Sequence, residues 1–508
     1  MEDLLIVGWS LAPKRSEPGP HMKRMLAGIA CCLCAAAGAL AETPADNTAA
    51  SQLQVDRFER QLEQLQTDLR LRVDQDIPVA DRAVFDYGGY FSPSYLSLVD
   101  PKGETHALRQ YDLVGYASVN LDGANEFFAR GRAAFRDFNQ GETFENGQNF
   151  RQRLTLERAY YRFDLARAVA AYGGQAVNYN VVVTAGRQLA LWANGLTLDE
   201  EIDGATVSLS QGPLSLDLVA GVTPKDITDF DVSRPAFESD TERGFYGTML
   251  SVKAGAQKLF AYALVQRDYN GNQPAIINGI STRFRYDSYY LGLGAAGPLS
   301  DELLYGVESA FEGGHGLSNS FLPPVAQPTP VSQSDDPIQA FALDARLDYL
   351  FHDARRSRLS AELVLASGDS DRLVTNSTFG GNKPGTTDNA FNGFGLLNTG
   401  LAFAPPASNL AMVRIGTSTF PLPDRSPFTQ LQIGADLLVF NKLDRFGPID
   451  EATNNSRYLG IEPDFFLTWP ITTDLTLSVR YGVFFPGAAI EGFRGARNFV
   501  YTGLTYAF

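Results

Sequence analysis

From about residue 87 to its end, the chain is a succession of short segments in which apolar and polar residues alternate. Gly, Pro, Asn and Asp separate these segments. A period of two is the pattern of a β-strand that has one face in an apolar surrounding. The alternation predicts eighteen strands. They are 87–98, 109–121, 125–136, 154–165, 178–189, 203–210, 214–222, 244–254, 257–267, 284–296, 301–312, 338–350, 355–366, 409–419, 428–440, 457–469, 474–485 and 497–508.

The connections between these strands alternate in length. Transmembrane β-barrels have short periplasmic turns and longer outer loops in this alternation. The alternation holds if 87–98 counts as a strand and 392–404 as part of a loop, while 166–177 and 420–427 are long for periplasmic turns. The short connections are 122–124, 211–213, 255–256, 297–300, 352–354 and 470–473. The long ones are 137–153, 190–202, 223–243, 268–283, 313–337, 367–408, 441–456 and 486–496.

Composition supports an all-β membrane protein. The chain has 47 Gly, 34 Phe and 21 Tyr with 20% charged residues. No apolar run after residue 41 reaches the roughly 18 residues that a transmembrane helix needs. A closed barrel is the other backbone arrangement that satisfies its hydrogen bonds in lipid. We therefore predict a transmembrane antiparallel β-barrel of about 18 strands, surrounded by outer-membrane lipid.

The first 41 residues have the pattern of an N-terminal extension followed by a secretory signal peptide. Lys23 and Arg24 precede an apolar stretch, and cleavage is expected after Ala41, with translation starting at Met22. All three cysteines lie in this segment, so the mature chain is predicted to have none. The expected location is the outer membrane of a Gram-negative cell. The formal net charge of −16 argues against nucleic acid as a partner.

Residues 42–84 precede the barrel, which is expected to span 85–508. Their apolar residues recur at spacings of three and four, which indicates an amphipathic helix. Three interpretations stay open: an oligomerising periplasmic coiled coil through 50–72, a helix near the barrel mouth, or a loosely ordered linker. The apolar residues are Val55, Phe58, Leu62, Leu65 and Leu69.

The alternation also predicts which charged side chains face the lumen. A lipid-facing Arg or Lys near the membrane midplane costs about 2–4 kcal/mol, so the charged residues of each strand are assigned inward. Arg187 follows Gly186 beside a possible bulge, and its direction is ambiguous. The candidate pore-lining residues are Arg130, Arg132, Arg136, Arg158, Arg162, Arg187, Glu308, Glu312, Asp344, Arg346, Asp348, Arg358, Glu362, Arg414, Asp436, Glu462, Asp464, Arg480 and Arg497.

Five arginines are concentrated on two neighbouring predicted strands, where they outnumber Glu126 and Asp164. Guanidinium groups bind carboxylates in bidentate geometry, so such a row could pass a polyanion from one contact to the next. The alternative is that these side chains pair with carboxylates across strands and only hydrate the lumen. The five are Arg130, Arg132, Arg136, Arg158 and Arg162.

The last predicted strand, 497–508, ends in Phe508. A terminal Phe preceded by apolar residues at every second position resembles the signal that the barrel-assembly machinery of Gram-negative outer membranes reads. A soluble β-sandwich that ends on a strand is the alternative for this stretch.

Several local motifs resemble the alginate-export family of outer-membrane porins. They are Ser367-Gly368-Asp369 before a long loop, Asn409-Leu410 at the start of a strand, Leu459-Gly460-Ile461-Glu462 with Asp464, and the compatible Gly186-Arg187-Gln188 and Phe508. The resemblance spans roughly residues 85 to 508. It implies a monomeric eighteen-stranded barrel with an Arg-lined pore for an anionic poly- or oligosaccharide. Inward acids are about as numerous as inward arginines, so other small hydrophilic solutes stay open.

No pattern predicts an enzyme or a cofactor. The mature chain has only His106, His315 and His352, far apart and without cysteine, which argues against a zinc site. Asp369 and Asp371 could hold Ca²⁺ in an outer loop, but a solvated turn is the better explanation and the twelve-residue calcium-loop spacing is absent. The alternative to a channel is a structural or adhesive barrel, anchored to the cell wall by its N-terminal helix.

Overall fold

The computed structural model describes residues 83–139, 150–173, 177–224, 242–270, 274–277, 279–322, 328–372 and 381–508. The predicted signal peptide and amphipathic helix lie outside the described residues, as do the predicted boundaries at residues 41 and 84.

Twenty-two β-strands occur in this part of the chain. They are β1 (Ala83–Val99), β2 (Thr105–Leu121), β3 (Asn125–Phe138), β4 (Phe150–Asp164), β5 (Tyr179–Leu191), β6 (Asp199–Gln211), β7 (Leu214–Val222), β8 (Arg243–Ala254), β9 (Gln257–Asp268), β10 (Ala275–Ile277), β11 (Ile280–Thr282), β12 (Tyr286–Pro298), β13 (Leu303–Leu317), β14 (Phe321–Leu322), β15 (Thr329–Pro330), β16 (Asp335–Leu350), β17 (Arg358–Ala366), β18 (Leu410–Thr419), β19 (Gln432–Asn441), β20 (Tyr458–Pro470), β21 (Leu475–Pro486) and β22 (Arg497–Ala507).

Eighteen of these strands form one closed antiparallel sheet. Successive strands pair along the sheet, and β1 pairs with β22 from Tyr90 opposite Ala507 to Leu98 opposite Phe499. Phe508 extends this closure, because it exchanges backbone hydrogen bonds of 3.0 and 2.9 Å with Gly89. β10 with β11 and β14 with β15 form two short hairpins within long connections. The predicted eighteen-stranded barrel is confirmed, and each predicted strand overlaps one observed strand.

The two faces of the barrel wall differ as the alternation predicts. On β16, Phe341 and Leu347 are 50% and 45% exposed, whereas Ala340 and Ala342 on the other face are each 2% exposed. The outward residues form an apolar surface that suits lipid. Inward residues are covered, which shows that segments of the chain fill part of the lumen.

Two connections at the short-turn end of the barrel are longer than the others there, because each contains secondary structure. Helix α1 (Leu165–Gly173) joins β4 to β5, and the Asn180 side chain accepts a 2.8 Å hydrogen bond from the Ala166 amide. The hydroxyl of Tyr172 donates to the Asp122 carboxylate, which lowers the pKa of Asp122. A 3-10 turn at Phe428–Gln430 delays the start of β19 relative to the predicted strand. Within the described residues, no helix has the length and apolar character needed to cross a bilayer.

The prolines inside strands interrupt hydrogen bonding without shifting the register. A proline within a strand of a closed barrel suggests a bulge, which the sequence would place at Pro463. However, β20 and β21 keep the same register on both sides of it, from Ile461 opposite Phe485 to Asp464 opposite Gly482. The bulge prediction is therefore wrong. Proline has no amide hydrogen to donate, so the ladder is broken locally instead.

Candidate functional site

The tip of the β5–β6 hairpin leaves the barrel wall. β4 and β5 stop pairing at Ala159 opposite Arg187, although both strands continue to the long-loop end. β6 and β7 likewise stop pairing at Asp203 opposite Val222. Residues 188–202 are therefore separated from both neighbouring strands, and this segment is called the tip below.

A row of glycines lies where the tip bends. Gly186, Gly204 and Gly221 are directly opposite one another on β5, β6 and β7. Gly186 has a φ of +126°, and a Cβ on it would lie 2.3 Å from the carbonyl oxygen of Ala159. A Cβ on Gly204 would lie 2.2 Å from the carbonyl oxygen of Ala220. Glycine permits this backbone conformation and this close approach, and so permits the bend.

The tip extends into the lumen and contacts the wall at β13. The amide of Asn194 donates to Glu308 of β13 at 2.8 Å, and the Tyr262 hydroxyl donates to the same carboxylate at 2.6 Å. Glu308 lies on the face opposite the exposed Phe311, which is the inner face of the wall. Leu198 of the tip is fully buried.

A segment of the 367–409 connection enters the lumen beside the tip. This segment, 388–404, is called the inner loop. Phe394 accepts a hydrogen bond of 2.8 Å from the Asp199 amide and donates one of 3.0 Å to the Thr197 carbonyl. The Asn392 amide donates to Glu312 of β13 at 2.8 Å. The 392–404 stretch contains no barrel strand, as the connection lengths predict.

The far end of the inner loop is held by Glu462 of β20. This carboxylate is fully buried and accepts hydrogen bonds from the amides of Leu401, Ala402 and Phe403 at 2.6, 2.6 and 2.9 Å. The Phe403 ring stacks on Phe484 of β21 at 4.2 Å. Hydrogen bonds to a charged group contribute about 1.5–3 kcal/mol each, so this contact fixes the loop firmly.

The beginning of the inner loop is fixed by an ion pair. Arg372 donates to Asp388 at 3.0 Å, and both side chains are buried. Burial is the largest single effect and lowers the pKa of Arg372. The charge and hydrogen bond of Asp388, together with Tyr286 and Asp369, raise that pKa by more, so the net shift is upward. Arg372 therefore stays charged throughout the physiological pH range.

Between the tip, the inner loop and the β16–β18 wall lies a cavity of about 780 Å³, called the chamber below. Its charged lining comprises five carboxylates and three guanidinium groups. They are Asp199, Glu201, Asp344, Asp348 and Glu362, with Arg158, Arg346 and Arg414. Carboxylates are thus in excess along the described lining.

The predicted arginine cluster is paired with acidic or polar groups. Each of the five arginines has a partner: Arg130 with Glu157 at 2.8 Å, Arg132 with Asp112 at 2.7 Å, Arg136 with Gln110 at 3.1 Å, Arg158 with Glu201 at 3.0 Å and Arg162 with Glu126 at 3.6 Å. This is the geometry of the alternative interpretation, in which arginines and acids pair across strands.

Sequence reasoning missed Glu157. Strict alternation directs it outward, but the β3–β4 register shifts between Arg130 opposite Arg158 and Gly131 opposite Leu156. This bulge brings Glu157 to Arg130 and within 3.8 Å of Arg132. A bulge re-aims one side chain and has no periodic signal in the sequence.

Arg187, whose direction was ambiguous, lies at the bend of the tip. Its side chain donates to both carboxylate oxygens of Asp203, at 2.7 and 2.8 Å. It also donates to the Leu156 carbonyl at 2.8 Å. Leu156 is opposite Gly131 of β3 but has no partner on β5, so Arg187 donates to a carbonyl of β4 beyond the end of the β4–β5 pairing.

The other predicted residues fall into two groups on the inner wall. Glu308, Glu312 and Glu462 are fully buried under the tip and the inner loop. The remainder form side-chain contacts with neighbouring strands and loops. These contacts are Arg346 and Arg358 with Asp348 at 3.0 and 2.7 Å, Arg414 with Glu362 and with Asp436 at 3.9 Å, Asp464 beside Glu462, Arg480 with Thr468 at 3.2 Å, and Arg497 with Glu451 at 2.8 Å.

The residues considered for a metal are engaged in the fold. Asp369 accepts hydrogen bonds from the amides of Asp371 and Asn389, both at 2.6 Å, and Asp371 pairs with Lys383 at 3.0 Å. In the described ranges, one group brings three possible ligand atoms within 4.8 Å: Asp100, Glu104 and His106, in the β1–β2 connection. The Asp100 carboxylate there accepts the Lys102 and Glu104 amides at 2.9 and 2.8 Å, so the turn itself explains its position.

Solved structures share this fold at low sequence identity. Pseudomonas aeruginosa OccK11 (OpdR) is 12% identical with a TM-score of 0.50, covering 85% of this chain and 98% of its own. Acinetobacter baumannii OccAB1 is 11% identical with a TM-score of 0.51, covering 86% and 99%. Identities this low show the fold alone.

The family is shown by the sequence itself. No curated protein sequence matches the chain. The family profile described as alginate export matches residues 102–498, which is most of the 508-residue chain. The resemblance seen in the local motifs is confirmed, and a barrel of this kind is an outer-membrane, porin-like protein. The chain belongs to the alginate export family.

Proposed function

We propose that this protein is a passive outer-membrane channel for small hydrophilic solutes, of oligosaccharide size or below. The chamber carries the proposal: a cavity of about 780 Å³ within the barrel, lined by eight charged side chains and narrowed by two inward segments. A charged lining suits water and hydrophilic solutes. The narrowing favours short solutes over bulky ones.

An anionic poly- or oligosaccharide is the second candidate solute. Family membership favours it, and the row from Arg130 to Arg162 supplies guanidinium groups that bind carboxylates. For such a solute to use this row, its carboxylates must replace the acidic partners that these arginines now have. Uronate oligomers are therefore expected to pass only if this exchange occurs.

Channel recordings test the proposal. Purified protein in a planar bilayer is expected to give stepwise current increases. Proteoliposomes are expected to swell in neutral sugars at rates that fall with sugar size. Detergent without protein serves as the control, and uronate oligomers of matched length test the second candidate. A protein that inserts but neither conducts nor supports swelling would overturn the channel and favour the structural or adhesive barrel.

A further inference from the structure

Three carboxylates lie side by side on adjacent strands of the barrel wall. Glu308 of β13 is directly opposite Asp344 of β16, and the Asp344 carboxyl is within hydrogen-bonding reach of Glu362 on β17. Like charges directly opposite one another destabilise an antiparallel pair. This part of the wall therefore calls for compensating positive charge.

The two carboxylates that flank Asp344 have a positively charged partner or hydrogen-bond donors. Glu308 accepts the Tyr262 hydroxyl and the Asn194 amide, and Glu362 accepts Arg414 Nε at 2.7 Å. Asp344 differs from both. It is 7% exposed, and its Oδ1 has no hydrogen-bond partner within the described part of the chain. Because two bare carboxylates repel, Asp344 and Glu362 at this distance share either a proton or a cation.

Asp344 faces the chamber, where a mobile ion can reach it. The guanidinium groups of the chamber do not supply its partner, since each is bound to another carboxylate. Arg158 pairs with Glu201 at 3.0 Å, Arg346 pairs with Asp348 at 3.0 Å, and Arg414 pairs with Glu362.

We propose that Asp344, supported by Glu362, is a binding site for a positively charged group that passes through the chamber. The class of ligand is a monovalent metal ion or the primary ammonium group of a small solute. Either one places positive charge between two carboxylates and reaches Oδ1 of Asp344. The inference rests on the proposed channel and makes it cation-preferring.

Two measurements test the site. In a KCl gradient across a planar bilayer, the reversal potential of the wild-type channel is expected to show preference for K⁺. Asp344→Asn is expected to lower the K⁺-to-Cl⁻ permeability ratio about threefold, because pore charges close to the ion set selectivity. Asp344→Glu keeps the charge and is expected to retain the preference. Asp301→Asn, which removes an exposed carboxylate in a short turn, is the matched control.

Binding is measured separately from conduction. Calorimetric titration of the detergent-solubilised barrel with 1,4-diaminobutane is expected to show affinity that falls about tenfold in Asp344→Asn, whose amide cannot pair with a cation. A wild-type channel that prefers anions, or an Asp344→Asn variant with unchanged selectivity and diamine affinity, would overturn the inference and leave the channel intact. Unchanged selectivity and diamine affinity in Asp344→Asn are the results expected if Asp344 carries a proton and binds no cation. A barrel that binds the diamine without conducting would overturn the channel alone.

Discussion

At the scale of residues, buried glutamates attach the inward segments through backbone amides. Glu308 holds the tip at Asn194, Glu312 holds the inner loop at Asn392, and Glu462 holds the same loop at three successive amides. Alternation correctly assigns these glutamates to the inner face. It gives no information about their partners, which are 59 to 114 residues away in sequence and have no local signal.

Glu462→Gln should release the end of the inner loop. The side-chain amide keeps one acceptor oxygen and places its NH2 group against the amide of Phe403 or, in the other orientation, against the amides of Leu401 and Ala402. Unsatisfied buried groups then replace strong hydrogen bonds, at about 1–3 kcal/mol each. We expect larger and noisier single-channel currents, with a barrel that still shows heat-modifiable mobility in gels. Glu126→Gln is the control, since Glu126 pairs with Arg162 at 3.6 Å, away from the loop. Currents identical to wild type would show that Glu462 does not hold the loop.

At the scale of elements, the tip of the β5–β6 hairpin decides how narrow the lumen is. Its bend depends on Gly186, Gly204 and Gly221, which occupy one row across three strands. The sequence predicts β5, β6 and β7 from their alternation. It does not reveal that the glycines share a row, because that depends on the register between strands, nor that the hairpin turns inward.

Gly186→Ala tests the bend. The new Cβ would lie 2.3 Å from the Ala159 carbonyl oxygen at a φ of +126°, so we expect a loss of about 1–3 kcal/mol in unfolding free energy. The tip should also shift and change the conductance. Gly115→Ala is the matched control, since its Cβ would have no neighbour closer than 4.0 Å. Equal thermal stability and conductance in both variants would show that the bend at Gly186 does not shape the pore.

At the scale of the whole molecule, alternation and connection length together predict the closed barrel. Both patterns repeat in every strand, so an error at one strand, such as the bulge expected at Pro463, leaves the count unchanged. The interior is not predicted in this way. The pairing of Arg130 with Glu157 needs a bulge, and the chamber needs two inward segments, so local irregularities decide the charge that a solute meets.

The direction of the barrel in the membrane follows from its connections. β21 and β22 are joined by 487–496 at the long-loop end, whereas 471–474 joins β20 to β21 at the short-turn end. Ala496 and Thr473 are exposed at these two ends. Long loops face outward in such barrels, so Ala496→Cys should react with a membrane-impermeant thiol reagent on whole cells and Thr473→Cys should react only after lysis. The cysteine-free mature chain predicted from the signal peptide makes the wild type an unlabelled control. Labelling of Thr473→Cys alone on intact cells would reverse the assignment of the two ends. Labelling of both variants on intact cells would contradict the periplasmic position of Thr473.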